Sequence, residues 1–142
     1  MADWMFFALG SAFFAGLTTM LAKVGVEAVA SNVATLIRTA VVLASAALLV
    51  TLRREWPHPG QLPLRSVLPL ALSGLTTGLS WLCYYRALQG GPASLVAPLD
   101  KLSLPVAVLL AVLVLGERLT VQQWIGASLM TAGALLIGLR GS

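Results

Sequence analysis

Residues 93–115 read ASLVAPLDKLSLPVAVLLAVLVL, a nearly unbroken apolar run whose reading decides the fold. As a helix rising about 1.5 Å per residue, it is long enough to cross a hydrocarbon core about 30 Å thick. Working outward, four further apolar stretches occupy 4–22, 33–52, 67–88 and 121–139. Each is near the roughly 20 residues that a crossing needs. In lipid every backbone N–H and C=O must be satisfied within its own segment, so each stretch is expected to be helical. Of the 142 residues, 58% are hydrophobic and 10% charged, which leaves no room for a water-soluble domain beside the five stretches. The expectation is an all-α membrane protein, a single domain over 1–142 built as a five-transmembrane-helix bundle.

Composition narrows the function classes. A mean hydropathy of +0.92 excludes a disordered or ordinary soluble chain. The net charge of +4 arises from nine basic residues spread singly, Arg53-Arg54 being the only adjacent pair. Nucleic-acid recognition needs a clustered basic face, so no nucleic-acid partner is expected; basic residues at helix ends suit lipid headgroups instead. The lone Cys83 and lone His58 leave no metal constellation, and no cofactor is implied. Nor is there a Ser–His, paired-carboxylate or metal-ligand set for an enzyme, so no catalytic residue is expected. Met1-Ala2-Asp3 lacks the basic start of a cleavable signal.

The connections read as turns. Ser31-Asn32 is placed to cap the second helix. Trp56-Pro57-His58-Pro59-Gly60 begins the longest loop, and Gln89-Gly90-Gly91-Pro92 ends the third helix with glycine and opens the fourth with proline. Gly116-Glu117-Arg118-Leu119-Thr120 forms a tight turn, with Glu117 and Arg118 fixing it. Trp4, Trp56 and Trp124 fall near span ends, where indole rings favour the headgroup level. Small residues recur at four-residue spacing: Ala8, Ala12 and Gly16 in the first helix, Gly74 and Gly78 in the third, Ala134 and Gly138 in the last. Such rows let helix backbones approach closely where lipid removes the hydrophobic incentive to associate.

Charge bias sets orientation weakly. With the N-terminus inside, one face carries Arg53, Arg54, Arg65 and Arg118, and the other Lys23, Arg86 and Arg140. Two readings fit: insertion one way on a faint signal, or insertion both ways with antiparallel pairing.

The second half carries a recognisable pattern. Tyr84-Tyr85-Arg86-Ala87-Leu88 leads to Gly91-Pro92-Ala93-Ser94, then to Val96-Ala97-Pro98-Leu99-Asp100-Lys101-Leu102-Ser103. Leu115-Gly116-Glu117-Arg118-Leu119-Thr120 and Gln123-x-x-Gly126 follow. This resembles an EamA domain of the drug/metabolite transporter superfamily. The resemblance covers all five stretches and implies secondary transport, usually export of small metabolites or drug-like compounds, through the bacterial inner membrane. Typical members resemble two such units fused in opposite orientation, whereas this chain carries one. The resemblance therefore implies a dimer with a second five-helix chain, either a copy of itself or a related partner, around a small-molecule substrate. Two other readings remain: a non-transporting accessory subunit, or a component that flips lipid-linked substrates.

Ionisable residues within a span are functional candidates by default. Arg38 and Asp100 lie about 10 and 12 Å along their helices from the same face, by a rise of about 1.5 Å per residue. Arg38 has two readings, an ion pair with Asp100 or snorkelling to headgroups. Lys101 is expected to point about 100° away from Asp100, in line with Ser94, Pro98 and Pro105. Pro98 and Pro105 cannot donate backbone hydrogen bonds, which frees the carbonyls of Ser94 and Lys101. That stripe is a candidate solute and proton pathway, with Asp100 and Lys101 at its centre, or a kink used for packing. Trp81 and Tyr84, three apart, are a candidate aromatic wall for an organic solute, or plain packing and belt anchors. Thr39 and Ser103 are placed for interhelical hydrogen bonds, Ser103 at the edge of the pathway stripe.

Overall fold

Helix is the response of this backbone almost everywhere. The computed structural model describes residues 3–58 and 62–139, and among these the regular structure is helical, without strand. The helices are α1 (Asp3–Val26), α2 (Ser31–Leu52), α3 (Leu64–Gly90), α4 (Ala93–Asp100), α5 (Ser103–Leu115) and α6 (Val121–Leu139). Met1 and Ala2 of the signal reading, Pro59 and Gly60 of the long loop, and Arg140 of the charge count lie outside the described residues.

Four stretches are long and apolar enough to cross a membrane: Trp4–Val26, Ser31–Leu52, Leu64–Gly90 and Ala93–Leu115. The fifth expected crossing, α6, is helical over 19 residues but is not among them. Gln122 and Gln123 in its first turn, with Ser128 and Thr131 beyond, dilute its apolar character. Large apolar side chains such as Phe6, Phe7, Leu43 and Val114 stand 70% or more exposed. Lipid tails are the solvent that makes such exposure favourable.

The ends of the helices follow local chemistry. Ser31 does not cap α2: the N-cap is Ala30, with no side-chain cap bond, and Ser31 is already helical. At the other end Arg54 adopts φ +55°, its N–H bonds the Thr51 carbonyl at 3.1 Å, and Glu55 N–H bonds Val50 at 3.0 Å. This pairing satisfies the last carbonyls of α2 around a left-handed residue, a position glycine takes without strain. Arg54→Gly is therefore expected to raise stability by about 1 kcal/mol, read as a higher thermal midpoint in detergent. Gly116 does the same work for α5 at φ +69°, where its N–H bonds Ala111. Thr120 and Gln123 then cap α6 reciprocally. Thr120 N–H donates to Gln123 Oε1 at 2.8 Å, and Gln123 N–H donates to Thr120 Oγ1 at 3.3 Å.

The chain divides into two compact units. One comprises Leu21–Gln89. In it the end of α1, the start of α2 and the end of α3 converge, burying Val26, Tyr85 and Leu88 with the polar Ser31 and Thr35. Lys23 Nζ donates to the Leu88 carbonyl at 2.8 Å, and Gln89 Nε2 donates to the carbonyls of Val26 and Val29 at 3.2 and 2.9 Å. These bonds satisfy carbonyls that helix ends leave without intrahelical partners.

The other unit comprises the residues up to Met20 with those from Gly90 onward. Within it α4 and α5 both pack on α6. Gly138 is the point of close approach: a Cβ there would lie 2.5 Å from Leu99 Cδ2. Ala134, one turn earlier, is buried. Side chains added at Gly16, Gly74 or Gly78 meet nothing within 4 Å. Of the small-residue rows, only the one on α6 thus places a glycine against a neighbouring helix.

Candidate functional site

The break between α4 and α5 explains the most polar point of the unit that contains it. Pro105 has no N–H for the carbonyl four residues back, that of Lys101, and its ring crowds that carbonyl. The helix is remodelled accordingly. Lys101 N–H bonds Pro98 at 3.1 Å, Leu102 N–H bonds Leu99 at 3.0 Å, and Leu104 N–H takes the Lys101 carbonyl at 3.0 Å. The Lys101 carbonyl is therefore not free, contrary to the expectation from sequence. Nor do the two charged side chains diverge by 100°. Around the tightened turn Lys101 Nζ comes within 3.4 Å of Asp100 Oδ2, an ion pair between neighbours in sequence.

Lys101 of this pair lines a groove of about 780 Å³ in the same unit. Ala8, Ala12 and Gly16 of α1 line one side, while Ser94, Ala97 and Lys101 line the other. Small side chains leave the space, and Ser11, Thr19 and Ser94 add hydroxyls to its wall. Ser94 and Lys101 thus share one surface, as their spacing led us to expect. Pro105 lies elsewhere, lining a smaller cavity of about 300 Å³ with Trp124 and Thr131. Pro98 sits half-buried within α4, and Ser103 is the exposed first residue of α5.

A second constellation forms in the Leu21–Gln89 unit. Arg38 Nη1 donates to the Tyr85 hydroxyl at 3.2 Å, and its guanidinium carbon lies 3.9 Å over the Trp81 ring. The Tyr85 ring is 5.9 Å from that carbon. Trp81 and Tyr85 are four apart on α3, so they present neighbouring positions to one partner. Thr35 and Thr39 on α2 turn their hydroxyls back to the carbonyls of Ser31 and Thr35, at 2.9 and 2.8 Å. Thr39 is thus a local bond and not an interhelical one. Arg38 makes these contacts inside its own unit, while Asp100 makes its ion pair inside the other. The aromatic pair on Arg38 is Trp81 with Tyr85. Tyr84 lies beside Tyr85, ring centroids 6.4 Å apart.

Comparison with known proteins adds the family. The EamA-like transporter family matches residues 3–139. The chain belongs to that family. A Sinorhizobium protein named "Uncharacterized transporter in cobO 3′region" is 51% identical over 135 residues, covering 95% of this chain and 96% of that protein. No solved structure matches. Membership and the four membrane-length stretches together make this EamA-like protein an integral, multi-pass membrane protein of a transporter family and not an enzyme family. Among the described residues no cluster of metal-ligating side chains occurs.

Lys23 and Gln89, which the sequence offers as a flanking charge and part of a turn, instead tie helix ends together. Their signal was present: a lysine one turn from the end of a span and a glutamine before Gly-Gly-Pro, each near another helix end with carbonyls to satisfy.

Proposed function

We propose that this chain is one half of a secondary transporter in a bacterial inner membrane, completed by a second five-helix chain. The most direct partner is an inverted copy of itself. In this reading α6 provides the fifth crossing, and residues 1–142 act as one domain. The observation that carries the proposal is the groove along α1 and α4, walled by small residues and lined by Lys101, whose ammonium pairs with Asp100. Solute sites of secondary transporters commonly lie where two repeats face each other near a discontinuous helix. The α4–α5 break supplies that discontinuity. The Sinorhizobium relative named as a transporter has nearly the same length as the region it matches, which supports a working unit of this size. The near balance of basic residues on the two faces supports insertion in both orientations. Ser94, Asp100 and Lys101 form the polar centre of the route. The ion pair exchanges a proton as it opens to solute, and the direction of net movement is outward.

The test combines orientation with flux. Reporters fused to the C-terminus, one fluorescent only inside and one enzymatically active only outside, are expected to give signal from both. The purified chain alone in liposomes is expected to move benzoate or ethidium down an imposed pH gradient, and crosslinking in native membranes to trap a pair. Signal from one reporter only would exclude dual insertion. Absence of flux for both probes at every protein density would make the chain an accessory subunit.

A further inference from the structure

The Asp100–Lys101 pair neutralises itself, so the charge that stands out is Arg38. It lies seven residues into α2, about 10 Å from the helix start at about 1.5 Å per residue. An arginine at that depth is costly unless something meets its charge. What meets it here is neutral: the Trp81 face at 3.9 Å and the Tyr85 hydroxyl at 3.2 Å. A guanidinium carries five N–H donors in a planar fork. Among the described residues Tyr85 takes one bond from it, and no carboxylate pairs with it. Thr35 and Thr39 are already committed to their own helix. The indole face fixes the plane of the fork, and the buried Tyr85 fixes one edge. The remaining edge is oriented in advance for a planar or tetrahedral oxyanion, which arginine binds through two parallel bonds.

The geometry points to Arg38, Trp81 and Tyr85 as a binding site for an oxyanion, a carboxylate or phosphate group, carried by a solute or by a lipid headgroup. The inference deepens the transporter reading by naming organic anions as the solute class and rests on it for that role. Binding itself is measured without transport. The counter-charge missing from α2 arrives with the ligand, and release restores an arginine held by π and hydroxyl contacts alone.

The experiment is equilibrium binding of radiolabelled benzoate to the purified protein in maltoside micelles. We expect saturable binding that inorganic phosphate displaces and benzylammonium does not. Arg38→Gln is expected to weaken it by about tenfold or more, and Arg38→Lys, which keeps the charge but loses the fork, by a smaller factor. Tyr85→Phe, which removes the positioning hydroxyl, is expected to weaken it about threefold. Added phosphatidylglycerol separates the sources: displacement of benzoate assigns the site to a headgroup, and indifference assigns it to a soluble anion. Thermal midpoints of all variants verify folding, and the wild-type competition pattern stands without any variant. The inference is overturned if benzoate and phosphate do not bind the folded wild-type protein, if benzylammonium competes equally with phosphate, or if folded Arg38→Gln binds as tightly as wild type. Loss of binding with retained flux of ethidium would leave the transporter reading intact. Binding without any flux would leave the site intact and remove the transporter.

Discussion

Lys101→Met is expected to reduce gradient-driven flux by about tenfold or more, a barrier increase of about 1.4 kcal/mol at least. The reason lies in the α4–α5 break. Asp100 and Lys101 are held 3.4 Å apart by a turn whose shape Pro105 imposes, and Lys101 also lines the groove. Removing the ammonium leaves a carboxylate without its partner inside a span, which raises the cost of insertion. Asp100→Asn leaves the opposite charge alone and is expected to impair flux similarly. The pair is half-exposed, with side chains 53% and 36% accessible, so its contribution to stability is small. The double variant separates stability from transport. Asp100→Asn with Lys101→Met restores neutrality and is expected to express and fold like wild type while remaining inactive in flux. Full activity of that double variant, measured by benzoate or ethidium movement in liposomes, would remove the pair from the pathway.

Gly138→Val is expected to destabilise the protein by about 1–3 kcal/mol, as overpacking of a closed contact does. An added Cβ would lie 2.5 Å from Leu99 Cδ2, 3.1 Å from Cγ and 3.3 Å from Cδ1, all in one side chain. Leu99 must then swing away or α4 must shift from α6, and Leu99 is exposed enough to move in part. Adding Leu99→Ala removes the three obstructing atoms and is expected to recover most of the loss. Gly74→Ala and Gly78→Ala, where the added methyl meets nothing, are expected to stay within about 0.5 kcal/mol of wild type. Thermal unfolding in detergent compares the four variants. Equal midpoints for Gly138→Val and wild type would show that α4 and α6 do not meet at this point.

The fold class was plain in the chain itself because membrane insertion acts on each segment separately. A run such as 93–115 must form internal hydrogen bonds wherever it lies in lipid, so helix follows from length and apolarity alone. The glycine and proline signals at 90–92 and 116 worked for the same local reason, each ending or starting a helix by its own backbone chemistry. The cap at Ser31 failed because Ser31 is already helical and the N-cap position fell on Ala30, which has no side-chain oxygen to accept a backbone N–H. The fifth expected crossing reads differently from the other four because two glutamines in the first turn of α6 lower its apolarity without interrupting its helix. At the site, ideal helix geometry sets Asp100 and Lys101 about 100° apart, and the break before Pro105 falls where their charged tips meet. That Arg38 rests on Trp81 and Tyr85 was not legible for a related reason. Spacings of three and four both share a face, and only the position of Arg38 on another helix selects between them.

Sequence alone determined that these residues form apolar helices suited to lipid, and which charges are stranded within them. Those properties depend on neighbours a few positions away, which the linear order already contains. Tertiary structure alone decided that Arg38 rests on Trp81 and Tyr85, that Lys101 turns back on Asp100, and that Gly138 admits Leu99. Those outcomes depend on how one helix is rotated and broken relative to another, a property of packing that no single segment carries.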